Sequence, residues 1–179
     1  MDSSVRIMLT GHRPGERLNE IESLRGMVSL LTSVRGQHEG LQVVSGGALG
    51  ADYLWACAAH SLNIPFEVFV PYGYEQHYGL GHEFFQMLDA AQKVHRVGSP
   101  TASFHWKLNF QRNEVMVNEA DLHVICSDVH PKELVKEKRG GTRHAAELIL
   151  NNGPYFWINS LKGSWEFNSP GVQERLALP

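Results

Sequence analysis

Three glycine-bearing segments and one arginine-bearing helical pattern hold the residues best suited to chemistry. The first segment is Ser45-Gly46-Gly47-Ala48-Leu49-Gly50-Ala51-Asp52. Its glycines let the backbone turn sharply and approach a ligand with N–H groups turned toward it. A helix starting just beyond adds partial positive charge, which suits an anion such as phosphate. Neither the GxGxxG spacing nor Gly-Lys-Ser/Thr is present, so neither the dinucleotide fingerprint nor a P-loop is read here. The plainer alternative is a tight strand–helix turn, with Asp52 placed where acids suit a helix's first turn.

Gly140-Gly141-Thr142-Arg143-His144-Ala145-Ala146-Glu147 has the same character. Thr142 is a candidate helix cap. Arg143 and Glu147 are four apart and so share a helix face. They form either a surface ion pair worth about 0.3 kcal/mol, or a site where Glu147 acts as general base or steadies a developing sugar cation. In the helical pattern 106–119, one stripe carries Trp106, Phe110 and Val117, and its neighbour carries Leu108, Arg112 and Val115. Arg112 and Asn113 interrupt this apolar surface, so Arg112 either snorkels to solvent or reaches into a ligand pocket. Thr10-Gly11-His12-Arg13-Pro14 reads as a plain turn or a phosphate clamp, with Thr10, Gly11 and Arg13 as its candidate contacts. Pro131–Arg143 sets five bases against two acids, a local charge of +3. Such a run is a solvated loop or a lid over an anionic ligand.

These residues need a scaffold, and the chain alternates strand and helix patterns to supply one. Strands are expected at Val5–Thr10, Leu41–Ser45, Phe66–Val70, Lys93–Val97, Leu122–Ser127 and Tyr155–Asn159. Between the first two, Leu18, Ile21, Leu24, Val28 and Leu31 make an amphipathic stripe. Regular alternation implies βαβ units, hence an α/β, three-layer, Rossmann-like doubly wound fold with a mostly parallel sheet. Such sheets bind ligands at the strands' carboxyl ends, and there fall the unusual loops, Thr10–Pro14, Ser45–Asp52, Pro71–Gly81 and Arg139–Glu147. Gly46, Gly47 and the Gly140-Gly141 turn are expected to converge on one anion site. The Lys93–Val97 strand looks like an edge because it carries Lys93, His95 and Arg96.

The chain has 179 residues, enough for one domain, read as 1–158 with a tail at 159–179 packing on it or extending from it. A net charge of −3 excludes a surface that is basic throughout. The lone cysteines Cys57 and Cys126 read as buried intracellular thiols. The start lacks a signal-peptide core and no apolar run is long enough to span a bilayer, so the protein is expected to be soluble and cytoplasmic, without membrane association. The ten histidines are scattered, and no metal site or cofactor is expected.

Taken together, the motifs resemble those of the SLOG superfamily of Rossmann-like proteins. That superfamily includes LOG-type "lysine decarboxylase-like" phosphoribohydrolases, DNA-processing Smf-type proteins and YpsA-like proteins. TGHRP is similar to the TGxRP opening of the YpsA-like branch, and SGGALGAD to the SGGAxGxD loop of the YpsA-like and Smf-type branches. QRNEVMVNEAD followed by GGTRHAAE is similar to the Arg-bearing helix and PGGxGTxxE motif of the LOG branch. The likeness spans roughly residues 5–150. It implies that Arg112 contacts a nucleotide's phosphate or ribose, that Gly140 and Gly141 form a phosphate turn, that Glu147 serves hydrolysis, and that the protein is a homodimer. Three positions depart from the pattern: Arg139 replaces the proline, and Arg143 and His144 replace the glycine and threonine. Three functions follow as expectations. The first is a nucleotide-binding protein that hydrolyses an N-glycosidic bond. The second is a binding module that senses or sequesters a nucleotide, such as an NAD-derived one. The third and weaker is DNA binding, since the chain is acidic and shows no aromatic–basic stripe.

Overall fold

The computed structural model describes residues 4–101 and 103–169. The strands β1 (Val5–Gly11), β2 (Leu41–Ser45), β3 (Phe66–Pro71), β4 (Lys93–Val97), β5 (Leu122–Ser127), β6 (Tyr155–Asn159) and β7 (Trp165–Asn168) form one sheet in the order β4-β3-β2-β1-β5-β6-β7. All neighbouring pairs are parallel except β6 with β7. The chain winds outward from β1 to β4 at one edge, then crosses to β5 on the other side of β1. Strand order therefore reverses between β1 and β5, which opens a crevice at their carboxyl ends.

The strand sequences explain the three layers. Ile7, Met8 and Leu9 are consecutive and wholly buried, as a strand covered on both faces requires. Ile7 and Leu9 pack on one face with Val43, Val68, Val70, Val124 and Ile158; Met8 packs on the other with Val44, Phe69, Ile125 and Tyr155. The first face is covered by α1 (Glu20–Arg35), α2 (Ala51–Ser61) and α4 (His82–Ala90), through side chains such as Met27, Trp55 and Phe84. The second is covered by α5 (Lys107–Glu119), α6 (Pro131–Leu134) and α7 (Gly141–Asn152), through Met116, Leu134 and Ile149. The short α3 (Tyr74–Tyr78) follows β3.

Two features differ from the sequence reading. The segment from 159, read as a tail, contributes β7, and its turn is tied to α1. Asn19 N–H and Ser23 Oγ both donate to the Ser160 carbonyl, each at 2.9 Å. A Cβ on Gly26 of α1 would strike the Gly163 carbonyl, so glycine permits this close approach. Residues 170–179 of that segment lie outside the described residues. Secondly, Cys126 is buried but Cys57 is only half-buried. Among the described residues no helix is long and apolar enough to cross a membrane.

Candidate functional site

A cavity of about 410 Å³ opens at the β1/β5 crevice. Thr10 to Arg13 enter it from the end of β1, Ala48 and Asp52 from the β2–α2 turn, and Tyr78 from α3. The remainder of its wall comes from Trp106, Asn109, Phe110, Arg112 and Asn113 around α5, and from Gly141 and Thr142 at the start of α7. Five segments that end or follow different strands, β1 to β5, thus meet at one opening, as a doubly wound sheet dictates.

Arg112 organises the wall. It is only 7% exposed, and its Nη1 donates to the Gly46 carbonyl at 2.9 Å, while its Nη2 donates to Asn113 Oδ1 at 2.9 Å. The same Nη2 lies 3.8 Å from Asp52 Oδ2, too long for a hydrogen bond but close enough for strong attraction. Asn113 Nδ2 donates onward to the Gly141 carbonyl at 3.3 Å, linking α5 to α7. Burial pushes the Asp52 carboxyl up to about 6, against the opposing pull of Arg112, Arg13 and the backbone N–H groups of Ala48 and Gly11. A Cβ on Gly46 would collide with Asp52 Oδ2 and come within 2.9 Å of the Arg112 guanidinium carbon. Glycine there lets the buried pair close against the backbone.

The two glycine segments do not make one twofold cradle. Gly141 lines the cavity, whereas Ser45, Gly46, Gly47, Gly50 and Gly140 do not. Ser45 Oγ donates to the Asp52 carbonyl at 2.7 Å and accepts from Gly47 N–H at 3.1 Å, so its hydroxyl braces the turn. Gly47, at φ +65°, turns inward: a Cβ there would meet Val68 Cγ1 at 2.8 Å. Gly50, at φ +101°, lies under the backbone of His12 and Arg13. The start of α2 is thus largely occupied by the protein itself, with Ala51 N–H donating to the His12 carbonyl at 3.0 Å. The start of α7 is different. No side chain caps it, so its first N–H groups, which have no partner within the helix, have none from a cap either, and Gly141 and Thr142 of that turn line the cavity.

Three expectations for α7 change. Thr142 does not cap the helix; Gly140 occupies that position, and Thr142 Oγ1 donates to the Gly11 carbonyl at 2.8 Å, clamping α7 to the end of β1. Glu147 does not line the cavity. It is 46% exposed on the side chain and pairs with Arg143 at 3.1 Å. The reason is helical phase: six residues beyond Gly141, it lies about 9 Å along the axis and roughly 120° around it. Arg143, at the motif's glycine position, donates its Nε to the Val135 carbonyl at 3.2 Å and adds no side chain to the cavity wall. Nor does the basic segment before α7 form a lid there: none of Lys132, Lys136, Lys138 or Arg139 lines the cavity.

Some lining residues were not singled out from sequence. His12 lies inside TGHRP, and only its position between Gly11 and Arg13 hinted at it. Tyr78 belongs to a helix too short to show a period. Trp106, read as part of a core stripe, precedes α5 and is 54% exposed. The fold also brings one cation to an aromatic ring distant in sequence, and a local aromatic pair stands at the start of α5. The Arg13 guanidinium stands 4.8 Å from the Tyr78 ring centre, and Trp106 meets Phe110 edge-on at 5.3 Å. Among the described residues no group of three His, Cys, Asp or Glu side chains is arranged to hold a metal ion.

No family model matches the chain, and no curated protein matches it in sequence. Solved structures share its fold. DNA processing protein A (DprA) from Streptococcus pneumoniae superposes with a TM-score of 0.59 at 14% identity, covering 82% of this chain and 47% of that one. DprA from Helicobacter pylori, described for its single-stranded DNA binding mode, gives 0.56 at 17% identity, covering 82% of this chain and 61% of that one. TM1055, a structural-genomics target, gives 0.51 at 14% identity, covering 83% and 70%. The chain spans about half the length of the Streptococcus pneumoniae protein. At these identities the likeness establishes a shared Rossmann-like α/β fold.

Proposed function

We propose that this chain is a SLOG-type protein whose β1/β5 cavity binds a nucleotide. The motif order supports the superfamily, as does the fold shared with the two DprA proteins. The observation that carries the ligand class is the cavity's pairing of opposite chemistries. It offers the uncapped start of α7 and the Arg13 guanidinium, which suit phosphate. It also offers the half-exposed Trp106 ring beside Phe110, which packs 4.4 Å from the His144 ring at the start of α7 and suits a flat base. A volume of about 410 Å³ accommodates a mononucleotide. Arg112, held by Gly46 and Asn113 through three of its five N–H donors, shapes the wall and adds positive potential to it.

Calorimetry with the four ribonucleoside 5′-monophosphates and ADP-ribose tests this reading. Gly141→Val is the informative variant, because a Cβ there meets nothing within 4 Å and the backbone need not strain. It should weaken binding at least tenfold, about 1.4 kcal/mol, and Trp106→Ala should do likewise. Absence of binding by the whole panel, or identical affinity in both variants, refutes the proposal. A second reading, the end of a single-stranded nucleic acid, is favoured by Arg13 over Tyr78 and by Lys107 Nζ 5.9 Å from the Trp106 ring. Oligothymidylate binding that is tighter than mononucleotide binding and falls steeply with salt would select it.

A further inference from the structure

We propose that Asp52 selects ligands for this cavity by charge: ionised, it offsets Arg112, and protonated, it leaves that cation free to attract an anion. The proposal rests on the nucleotide-binding reading and adds proton control of affinity to it. Asp52 and Arg112 stand in the same wall, 6% and 7% exposed. Arg112 Nη2 lies 3.8 Å from Asp52 Oδ2, beyond hydrogen-bond range, so the carboxylate masks the guanidinium's charge without taking one of its donors. Gly46 and Asn113 hold three of those five donors and fix the arginine independently of Asp52. The charge of the pair can therefore change while Arg112 stays in place. With His12 neutral, Arg13, Arg112 and ionised Asp52 give the wall a formal charge of +1, and a proton on Asp52 makes it +2.

The neighbours of Asp52 set where this change falls. Burial brings its carboxyl up to about 6, against Arg112 of α5, Arg13 of the segment after β1, and the N–H groups of Ala48 before α2 and Gly11 at the end of β1. Tyr74 of α3 and Cys126 of β5 also face it. Burial raises both, Cys126 to about 12, so each keeps its proton where Asp52 titrates. His12 belongs to the same wall, with its Nε2 2.9 Å from Asp128 Oδ1. Burial first and Arg17 second lower the His12 pKa against Asp128 and Glu137. His12 therefore charges only in acid, and it shifts the wall in the same direction as Asp52. Arg17 pairs with both Asp128 and Glu137, at 2.8 and 2.6 Å, so those carboxylates are already offset.

An anion held in the cavity raises the cost of ionising Asp52. By reciprocity, a proton on Asp52 tightens that anion. Above about pH 6 the carboxylate masks Arg112 and repels the ligand; below it, both effects are lost. A bound anion that raises the Asp52 pKa by about one unit corresponds to roughly tenfold higher affinity at pH 5 than at pH 8. An uncharged ligand feels neither effect.

Calorimetry at pH 5 and pH 8 tests this with ADP-ribose, whose phosphates do not titrate in that range, and with uncharged adenosine as the control for a change in cavity shape. Wild-type protein should bind ADP-ribose about tenfold tighter at pH 5, while adenosine affinity stays within about twofold. Asp52→Asn keeps the shape and removes the charge. Its affinity for ADP-ribose at pH 8 should approach that of wild type at pH 5, and its own pH dependence should shrink to about twofold, the part left to His12. AMP allows the same comparison, because its phosphate titration is common to both proteins and cancels in the ratio of variant to wild type. Heats measured at pH 6.5 in buffers of different ionisation enthalpy should show proton uptake as ADP-ribose binds. That uptake should persist in His12→Gln, a result that decides the matter even if Asp52→Asn fails to fold. Equal affinity at the two pH values, a dependence shared by adenosine, or one unchanged in Asp52→Asn overturns the role of Asp52 and leaves the binding reading standing. Loss of the uptake in His12→Gln also overturns it. Failure of ADP-ribose and of all four monophosphates to bind at either pH overturns both readings.

Discussion

Replacing Arg112 with methionine removes a buried cation while keeping much of its length, and the consequences can be worked from the geometry. The Gly46 carbonyl loses its donor, Asn113 Oδ1 loses two, and Asp52 loses a positive charge 3.8 Å away. At an effective dielectric near 20, that attraction is worth about 4 kcal/mol, and breaking one side of a buried pair costs about 3–5 kcal/mol. The cost should depend on pH in a defined direction. Asp52 titrates at about 6 in the native fold, above its usual 3.8, so it is largely ionised at pH 8 and largely protonated at pH 5. Without Arg112 its pKa rises further, and the variant must either hold an unpaired anion at pH 8 or bind a proton there. Arg112→Met should therefore be more destabilising at pH 8 than at pH 5, by up to about 3 kcal/mol. Urea unfolding of wild type, Arg112→Met, Asp52→Asn and the double variant at both pH values supplies the cycle. The double variant should be more stable than Arg112→Met alone at pH 8. A cost below about 1 kcal/mol, or one equal at the two pH values, would show that Arg112 and Asp52 do not sense each other as this geometry requires.

Further outcomes test neighbouring elements. Gly47→Val should destabilise the fold by about 2–4 kcal/mol, since it combines φ +65° with a Cβ 2.8 Å from Val68 Cγ1; a stable variant in thermal unfolding would contradict this placement. Thr142→Val keeps shape but strips the donor from the Gly11 carbonyl, and should cost about 1–2 kcal/mol in denaturant titration. Asp52→Asn should remove a component of stability that declines as pH rises from about 4 to 6, because the native carboxyl binds its proton more tightly than the unfolded one. Unfolding titrations should then give a less negative slope than wild type across that window. Glu147→Gln loses only an exposed i,i+4 pair, so nucleotide affinity measured by calorimetry should stay within about twofold.

Much of the scaffold was legible because its signals are local. β2, β4, β5 and β6 run over the very residues their apolar runs and turn signals indicate, and β4 with its Lys93, His95 and Arg96 is the sheet's edge. Three consecutive apolar residues such as Ile7–Leu9 announce a strand buried on both faces, and the regular alternation with helices then selects a parallel, doubly wound sheet. Elements without a periodic signature escaped: α3 has five residues and α6 four, too few to show a helical stripe, and β7 lies in what reads as a tail.

The candidate site divides along the same physical line. Sequence by itself determined that polar, glycine-bearing loops would gather at the carboxyl ends of parallel strands, because strand–helix alternation leaves them nowhere else to go. It also marked Arg112 as an arginine set against an apolar helix face. Only tertiary structure decided what those residues do. Arg112 turns to Gly46, sixty-six positions away, and Ser45 and Gly47 turn inward to build a loop. The phase of α7, set by where its first turn begins, carries Glu147 away from the cavity while leaving Gly141 and Thr142 on it. His12 and Asp128, separated by 116 positions, meet because β1 and β5 are adjacent where strand order reverses. Spacing within one element is written in the chain, but contacts between the ends of different strands depend on sheet order and helix phase, which no local pattern encodes.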